Sequence, residues 1–537
     1  MSKNDRGTRP GEAGRDSFVC FGRVLIVLLS VWLVVAGGGW KVRSLAAAEA
    51  GSNSKPLNIV FFLIDDLGWT DLGCMGSDFY ETPNIDRLAQ QGMLFTRAYS
   101  NGPNCAPSRA SIISGEYTPR HKIFTVGNAA RGRPEFRKLI PIKNTRTLAP
   151  EFVTIAEALK ANGYVTATIG KWHLGKDPTT QGFDINIAGC EWGSPRGGGY
   201  FSPYHYPHLV NDRPGEYLTD RLTREACKFI EQNKDRPFFL YFPHYAVHAP
   251  WQAKKELIEK YKAKTPGKRH NNPVYAAMIE SVDESVGAVL KKLDELDIAD
   301  RTVVVFSSDN GGVTLVTNNA PLRGCKGMLY EGGIRVPLII KWPGVTRPGS
   351  RCNVPVIGVD FYPTFLEMTG TPAPKNYKLD GQSLVPLLTG KGTFPERALF
   401  WHFPCYLQSF MLSQGPFRTT PAGAIRVGDW KLLEFFEDGR LELYNTKEDI
   451  GEQHNLAKQF PEKVKELHKR LEEWRQQVHA PIPTEKNPKY NPDAKWPPQN
   501  WKPGHKARKA RKQHSKKRQP KRSRRDRKPT AIKNSGN

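Results

Sequence analysis

The run Cys105-Ala106-Pro107-Ser108-Arg109 sets a thiol and a guanidinium beside a predicted helix start. Asn101-Gly102-Pro103-Asn104 ahead of it reads as a tight loop, because Gly and Pro interrupt regular structure and Asn tolerates turns. Ser108 has the chemistry of an N-cap, and Arg109 to Ser114 has the length of about two turns, closed by Gly115. That reading puts Cys105 just ahead of a helix N-terminus, where outward-pointing backbone N–H groups favour anions. Arg109 adds a fixed cationic fork suited to oxyanions. An ordinary loop-to-helix turn can hold one Cys and one Arg, so the pair taken alone decides nothing.

Other polar side chains gather at the ends of apolar runs. Residues 57–64 predict a buried parallel strand ending in Asp65 and Asp66. The run 165–169 ends in Gly170-Lys171-Trp172-His173, 238–242 leads to His248, and 302–306 ends in Asp309 and Asn310. Helices are predicted over 83–92, 154–162, 218–233 and 275–294. Alternating strands and helices argue for an α/β sheet with helices on both faces. Ligands of such sheets bind outside the carboxyl ends of the strands. Any one of these ends could be a solvated turn. Four at one edge make independent accidents a poor explanation. Asp65, Asp66, Asp309 and Asn310 supply oxygens suited to a hard cation, Ca²⁺ or Mg²⁺ alike. The lack of a clustered His/Cys set argues against zinc.

Cys105-Ala106-Pro107-Ser108-Arg109 resembles the signature of the type I, formylglycine-dependent sulfatases of the alkaline-phosphatase-like superfamily. So, in the family's order, do Asp65-Asp66, Gly170-Lys171-Trp172-His173-Leu174-Gly175, His248-Ala249-Pro250 and Ser308-Asp309-Asn310-Gly311-Gly312. The block from Leu322 to Pro337, with Lys326 inside it, completes the set. The family usually follows its signature with Thr-Gly. Ser114-Gly115 stands here and keeps a hydroxyl and a Gly. The resemblance spans about residues 56–345 and is of the arylsulfatase and N-acetylgalactosamine-6-sulfatase kind.

An unmodified thiolate attacking a sulfate ester would leave a thiosulfate-type product with no easy exit. The resemblance implies that Cys105 is oxidised to Cα-formylglycine by a formylglycine-generating enzyme. One hydroxyl of the hydrated aldehyde attacks sulfur and the other later expels sulfate. It also implies one Ca²⁺ held by Asp65, Asp66, Asp309, Asn310 and residue 105. Arg109 would steady the hydrate, and Lys171 and Lys326 would contact the sulfate. His248, with or without Lys326, would protonate the leaving alcohol, and His173 would trigger elimination. The two His roles could be exchanged, since an unperturbed imidazole near pKa ~6.5 serves either.

The expected organisation is a signal peptide and leader over 1–50, a catalytic domain over 55–390 and a small α+β domain over 391–480. A Pro-rich linker and basic tail follow over 481–537. The small domain rests on strand-like pieces at 398–402, 424–427, 430–435 and 441–444, turns at Gly428-Asp429 and Asp438-Gly439, and a helix over 461–478. The apolar run 24–36 follows Arg9, Arg15 and Arg23 and precedes small residues, which predicts a cleaved secretory signal. An uncleaved anchor is the rival, but the run is shorter than the ~20 residues a spanning helix needs. The expectation is a secreted or periplasmic protein with no transmembrane segment after cleavage. The net charge of +26 is uneven, with 16 Lys/Arg and one acid between Lys502 and Lys533. That tail is either a handle for anionic polymers or a solubilising extension. Apart from Cys20 in the signal and Cys105, six cysteines (Cys74, Cys190, Cys227, Cys325, Cys352 and Cys405) permit disulfides in an exported protein, or remain as buried thiols.

Three functions compete at this level. One is a sulfatase acting on a sulfated carbohydrate or, as the lesser option, an aryl sulfate. Trp192, Tyr200, Tyr204 and Tyr206 could stack on sugar rings or simply pack their own loop. The second is a phosphate or phosphonate ester hydrolase on the same scaffold. The third is a polyanion-binding protein without catalysis.

Overall fold

The computed structural model describes residues 56–197 and 199–497. The apolar run at 24–36, Cys20 and the basic stretch 502–533 lie outside them. Nine strands build the main sheet: β1 (Asn58–Ile64), β2 (Met93–Tyr99), β3 (Val165–Ile169), β4 (Ile185–Ile187), β5 (Phe238–Pro243), β6 (Thr302–Ser308), β7 (Arg335–Lys341), β8 (Ser350–Cys352) and β9 (Val356–Ile357). Their order is β4-β3-β5-β1-β6-β7-β2-β8, with β9 also on β2. Only β7 runs against the others, pairing antiparallel with β6 and β2.

Strand β1 shows why the sheet is buried on both sides. Its residues NIVFFLI are all buried, and they alternate between two cores. Val60, Phe62 and Ile64 face one core, while Ile59, Phe61 and Leu63 face the other. Helices Pro83–Gln91, Leu218–Gln232 and Pro273–Glu295 cover the first face. Helices Cys105–Ser114, Ile155–Ala161 and Phe361–Thr369 cover the second. Local caps agree with this placement. Thr154 and Glu157 form a reciprocal capping box at the start of Ile155–Ala161. Asn272 caps Pro273–Glu295, with Pro at the first helical position.

A second sheet is antiparallel and four-stranded, β10-β13-β14-β15, made of β10 (Ala398–Phe403), β13 (Ala422–Val427), β14 (Trp430–Phe435) and β15 (Arg440–Asn445). A small ribbon of β11 (Leu407–Gln408) and β12 (Phe417–Thr419) lies between them in sequence. Helix Pro461–Gln477 buries Leu467, Leu471 and Trp474 in the same core as Leu432, Ile425 and Trp401. A buried charge cluster ties β14 to the loop before β7. Lys431 Nζ lies 3.0 Å from Glu331 Oε1 and 2.9 Å from Glu452 Oε1, all three side chains near zero exposure. Lys431→Met is expected to lower stability by about 3–5 kcal/mol, because Glu452 would stay buried without its cation while Glu331 kept only Arg335 and Arg426. A lower urea midpoint with an unchanged slope is the readout.

One local expectation is corrected. The helix after the Cys105 loop begins at Cys105, with Asn104 at the N-cap position but without a side-chain cap, and not at Ser108. Pro107 is tolerated in that first turn, where the N–H would have no intrahelical partner. The Ser108 hydroxyl turns back instead, donating to Gly102 O at 2.8 Å and accepting from Gly102 N at 3.1 Å. It staples the loop rather than capping the helix. All seven cysteines among the described residues are free thiols, which settles the choice left open for them. No helix among the described residues is long and apolar enough to cross a membrane.

Candidate active site

Because β1, β3, β5, β6 and β2 share one direction, the segments that follow them emerge at one edge. Asp65 and Asp66 follow β1, Lys171 and His173 follow β3, and His248 follows β5. Asp309 and Asn310 follow β6, and Cys105 lies beyond β2. Lys326 comes in from the long loop between β6 and β7. Gly170 makes the turn after β3 possible. Its φ is +121°, and a Cβ there would sit 2.0 Å from Pro243 O.

Ion pairs and hydrogen bonds link nine side chains of the site, Arg109 included, while His173 Nδ1 is buried without a partner. Lys171 Nζ is 2.5 Å from Asp65 Oδ2, with both side chains fully buried. Arg109 donates to Asp309 Oδ2 from Nε at 2.8 Å, and its Nη2 lies 2.7 Å from the same oxygen. Arg109 Nη1 also donates to Lys171 O at 2.7 Å. Lys326 Nζ stands 2.5 Å from Asp66 Oδ1 and 3.5 Å from Cys105 Sγ. Asn310 Nδ2 donates to Asp66 Oδ1 at 2.8 Å. His248 Nε2 is 3.7 Å from Asp66 Oδ2, and its Nδ1 donates to Ala249 O at 2.7 Å. The neutral ring therefore keeps its lone pair on Nε2.

Electrostatics follow from burial against these pairs. Burial, more than Lys171 can offset and aided by Asp309 and Asp66, pushes Asp65 up to about 8. Burial would raise Asp66 too, but Lys326 first and then His248 hold it well below the carboxylate range. Burial drives the Cys105 thiol up to about 11. His248 is pushed down to about 3 by burial and by Lys326. His173 falls well below its ordinary value through burial, then Lys171 and Arg109. Both imidazoles are neutral at pH 7.

Asp66, Cys105, His173, His248 and Lys326 line a cavity of about 890 Å³. Asp65, Lys171, Arg109, Asp309 and Asn310 form the layer behind it. Lys171 thus meets Asp65 rather than the cavity, which differs from the sulfate contact expected of it. The donor set fits a hard cation. Asp65 Oδ1 and Asn310 Oδ1 are buried without hydrogen-bond partners. Asp65, Cys105 and Asp309 each bring a donor atom within 4.8 Å of the others, as do Asp66, Cys105 and His248. A carboxylate held near pKa 8 beside two more acids marks a group short of positive charge.

Sequence reasoning missed most of the cavity wall. Arg131, Arg146, Arg196, Trp251, Phe410 and Arg418 line it, from segments without strong periodicity. The aromatics of 190–217 pack their own loop. Tyr200, Tyr204 and Tyr206 are buried, and the half-buried Trp192 has a cation, Arg196, over its ring at 4.7 Å. Tyr200 does serve the site, since its hydroxyl donates to His248 O at 2.8 Å.

Comparison with known proteins agrees with this geometry. The family model described as Sulfatase matches residues 57–371, and one described as N-sulphoglucosamine sulphohydrolase, C-terminal, matches 325–477. A protein named Sulfatase from Formosa agariphila is 35% identical over 510 residues, covering 80% of this chain and 90% of its own. N-acetylgalactosamine-6-sulfatase of Homo sapiens is 33% identical over 418 residues, covering 71% of this chain and 76% of its own. The crystal structure of Ps i-CgsB in complex with k-i-k-neocarrahexaose superposes with a TM-score of 0.66 at 30% identity, over 80% of this chain and 95% of that one. The chain belongs to the sulfatase family, hydrolases of sulfuric esters on the alkaline-phosphatase-like fold.

Proposed function

We propose that this protein is an exported sulfatase that removes sulfate esters from a carbohydrate, with formylglycine at position 105 and Ca²⁺ as its cation. The observation that carries the reading is the meeting of Cys105, Lys326 and the buried carboxylates at the floor of one large cavity. The substrate class is supported by the relative named N-acetylgalactosamine-6-sulfatase and by the neighbour solved with neocarrahexaose. Export rests on the apolar run 24–36 alone.

Asp65, Asp66, Asp309 and Asn310 would hold the cation, which supplies charge withdrawal from the sulfate oxygens. Formylglycine would supply a geminal diol, one hydroxyl for attack on sulfur and one to expel sulfate afterwards. The chain's own residues do the rest. Arg109 and Lys171 hold the Asp309 and Asp65 carboxyl groups in place, so the donors are preorganised. Lys326 stays charged and reaches the reacting atoms, as its contact with Cys105 indicates. His248 rests neutral, but an arriving sulfate monoester brings negative charge that favours its protonation. It can then give that proton to the leaving alcohol. Neutral His173 is a base within the same cavity.

Two measurements test the reading. Mass spectrometry of the Cys105 peptide reads conversion of thiol to aldehyde. Matched sulfate and phosphate esters read which ester is cut, and faster phosphate release would sink the sulfatase assignment. His248→Gln should lower kcat/KM on a sulfated sugar by about 10²–10³-fold. On an aryl sulfate with an acidic leaving phenol the loss should be under about tenfold, because little protonation is needed.

A further inference from the structure

Arg131, Arg146, Lys176, Arg196 and Arg418 bring five positive charges to the cavity wall, and the chemistry above uses none of them. Arg146, Lys176 and Arg196 are exposed, but Arg131 and Arg418 are set into the wall. Arg418, on β12, donates from Nη1 to Gln408 O at 2.7 Å and lies 4.0 Å over the ring of Phe410. Its Nε is buried with no partner. The close approach is built in, since a Cβ on Gly327, next to Lys326, would fall 2.5 Å from that Nε. Arg131 donates to Val126 O. Among the described residues, neither guanidinium has a carboxylate within ion-pair distance. Burial, with repulsion from Arg131, holds Arg418 down at about 10, and burial lowers Arg131 as well.

Two half-buried guanidinium groups on one cavity wall, with no carboxylate paired to either, suit an anion that both can reach. Their planar forks match the paired oxygens of a sulfate or a carboxylate. We propose that Arg131 and Arg418 form a second anion subsite, taking a further sulfate or carboxylate group on the same carbohydrate chain as the sulfate that is cut. This rests on the sulfatase reading and narrows its substrate to carbohydrates with at least two anionic groups near one another.

The test uses matched oligosaccharides carrying the scissile sulfate alone, with a second sulfate, or with a neighbouring uronate carboxylate. At least one doubly charged substrate should show kcat/KM about 10–100-fold above the singly charged one. Arg418→Gln and Arg131→Gln should each bring that ratio towards one. The ratio divides out any general loss of rate. Arg418→Lys should restore it only in part, because a point charge lacks the fork. A ratio near one in the unaltered protein, or a ratio unmoved by both substitutions, overturns the subsite. Calorimetry of the same sugars on Cys105→Ala separates the two readings. If nothing turns over but the doubly charged sugar binds at least about tenfold tighter, and Arg418→Gln abolishes the difference, the subsite stands while the activity reading falls. Equal binding of the two sugars overturns the subsite.

Discussion

Cys105→Ala should lower sulfate release by a factor on the order of 10⁴ or more, with the fold intact. The side chain is small and buried at a helix start, so an alanine fits the same space and keeps the helix. What it loses is the proposed nucleophile at the cavity floor. Binding and the charge of Lys326 in the cavity remain, which is why some catalysis over water should persist. Cys105→Ser sharpens the result. Serine offers one hydroxyl, enough to attack sulfur but not to expel sulfate afterwards. A single equivalent of alcohol should appear, followed by arrest with a sulfated serine detectable by mass. Multiple turnovers by Cys105→Ser would remove the two-hydroxyl chemistry, and equal rates for Cys105→Ala would remove the nucleophile.

That outcome was accessible from sequence because the reacting groups sit where chain direction is easiest to read. The runs of β1, β3, β5 and β6 are apolar, short and stopped by polar residues. Parallel pairing then puts all four ends on one edge, and Asp65, His173, His248 and Asp309 arrive there together. Boundaries held within one or two residues where a cap is explicit, as at Thr154 and Asn272. They failed at Ser108, whose hydroxyl had two backbone partners to choose from and took the loop. Strand β2 was not legible as a strand, because half-buried Thr96 and Arg97 interrupt its apolar pattern. The division into contacts and support was not legible either. No local pattern says that Lys171 turns towards Asp65 while Lys326 faces the cavity. Arg131, in a loop, and Arg418, on β12, lie nearly three hundred residues apart, and only the tertiary structure brings them to one cavity wall.

Asp309→Asn is expected to fail twice, in stability and in catalysis, and the two failures separate. Asp309 Oδ2 faces Arg109 Nε and Nη2, and Oδ1 accepts from Asp66 N at 3.3 Å, with both charged side chains fully buried. Asparagine keeps the shape but removes the charge, leaving a guanidinium in the interior without its counter-ion. Such losses cost about 3–5 kcal/mol, a large share of a typical folding free energy of ~5–15 kcal/mol. The substitution also removes one of the hard donors beside Asp65 and Cys105, so cation affinity should fall with it. Chelation of the unaltered protein removes only the second effect. Treatment with EGTA should abolish sulfate release and lower Tm by mass action, by up to ~4 kcal/mol of lost stabilisation if the ion had been at a thousand times its Kd. Excess Ca²⁺ should restore both. Asp309→Asn should stay destabilised and inactive in the same Ca²⁺, because the Arg109 charge remains unpaired whatever occupies the site. Full activity after exhaustive chelation would show that the oxygen set around Asp65 holds no working cation. Rescue of Asp309→Asn by Ca²⁺ alone would show that the Arg109 pair contributes little to the fold.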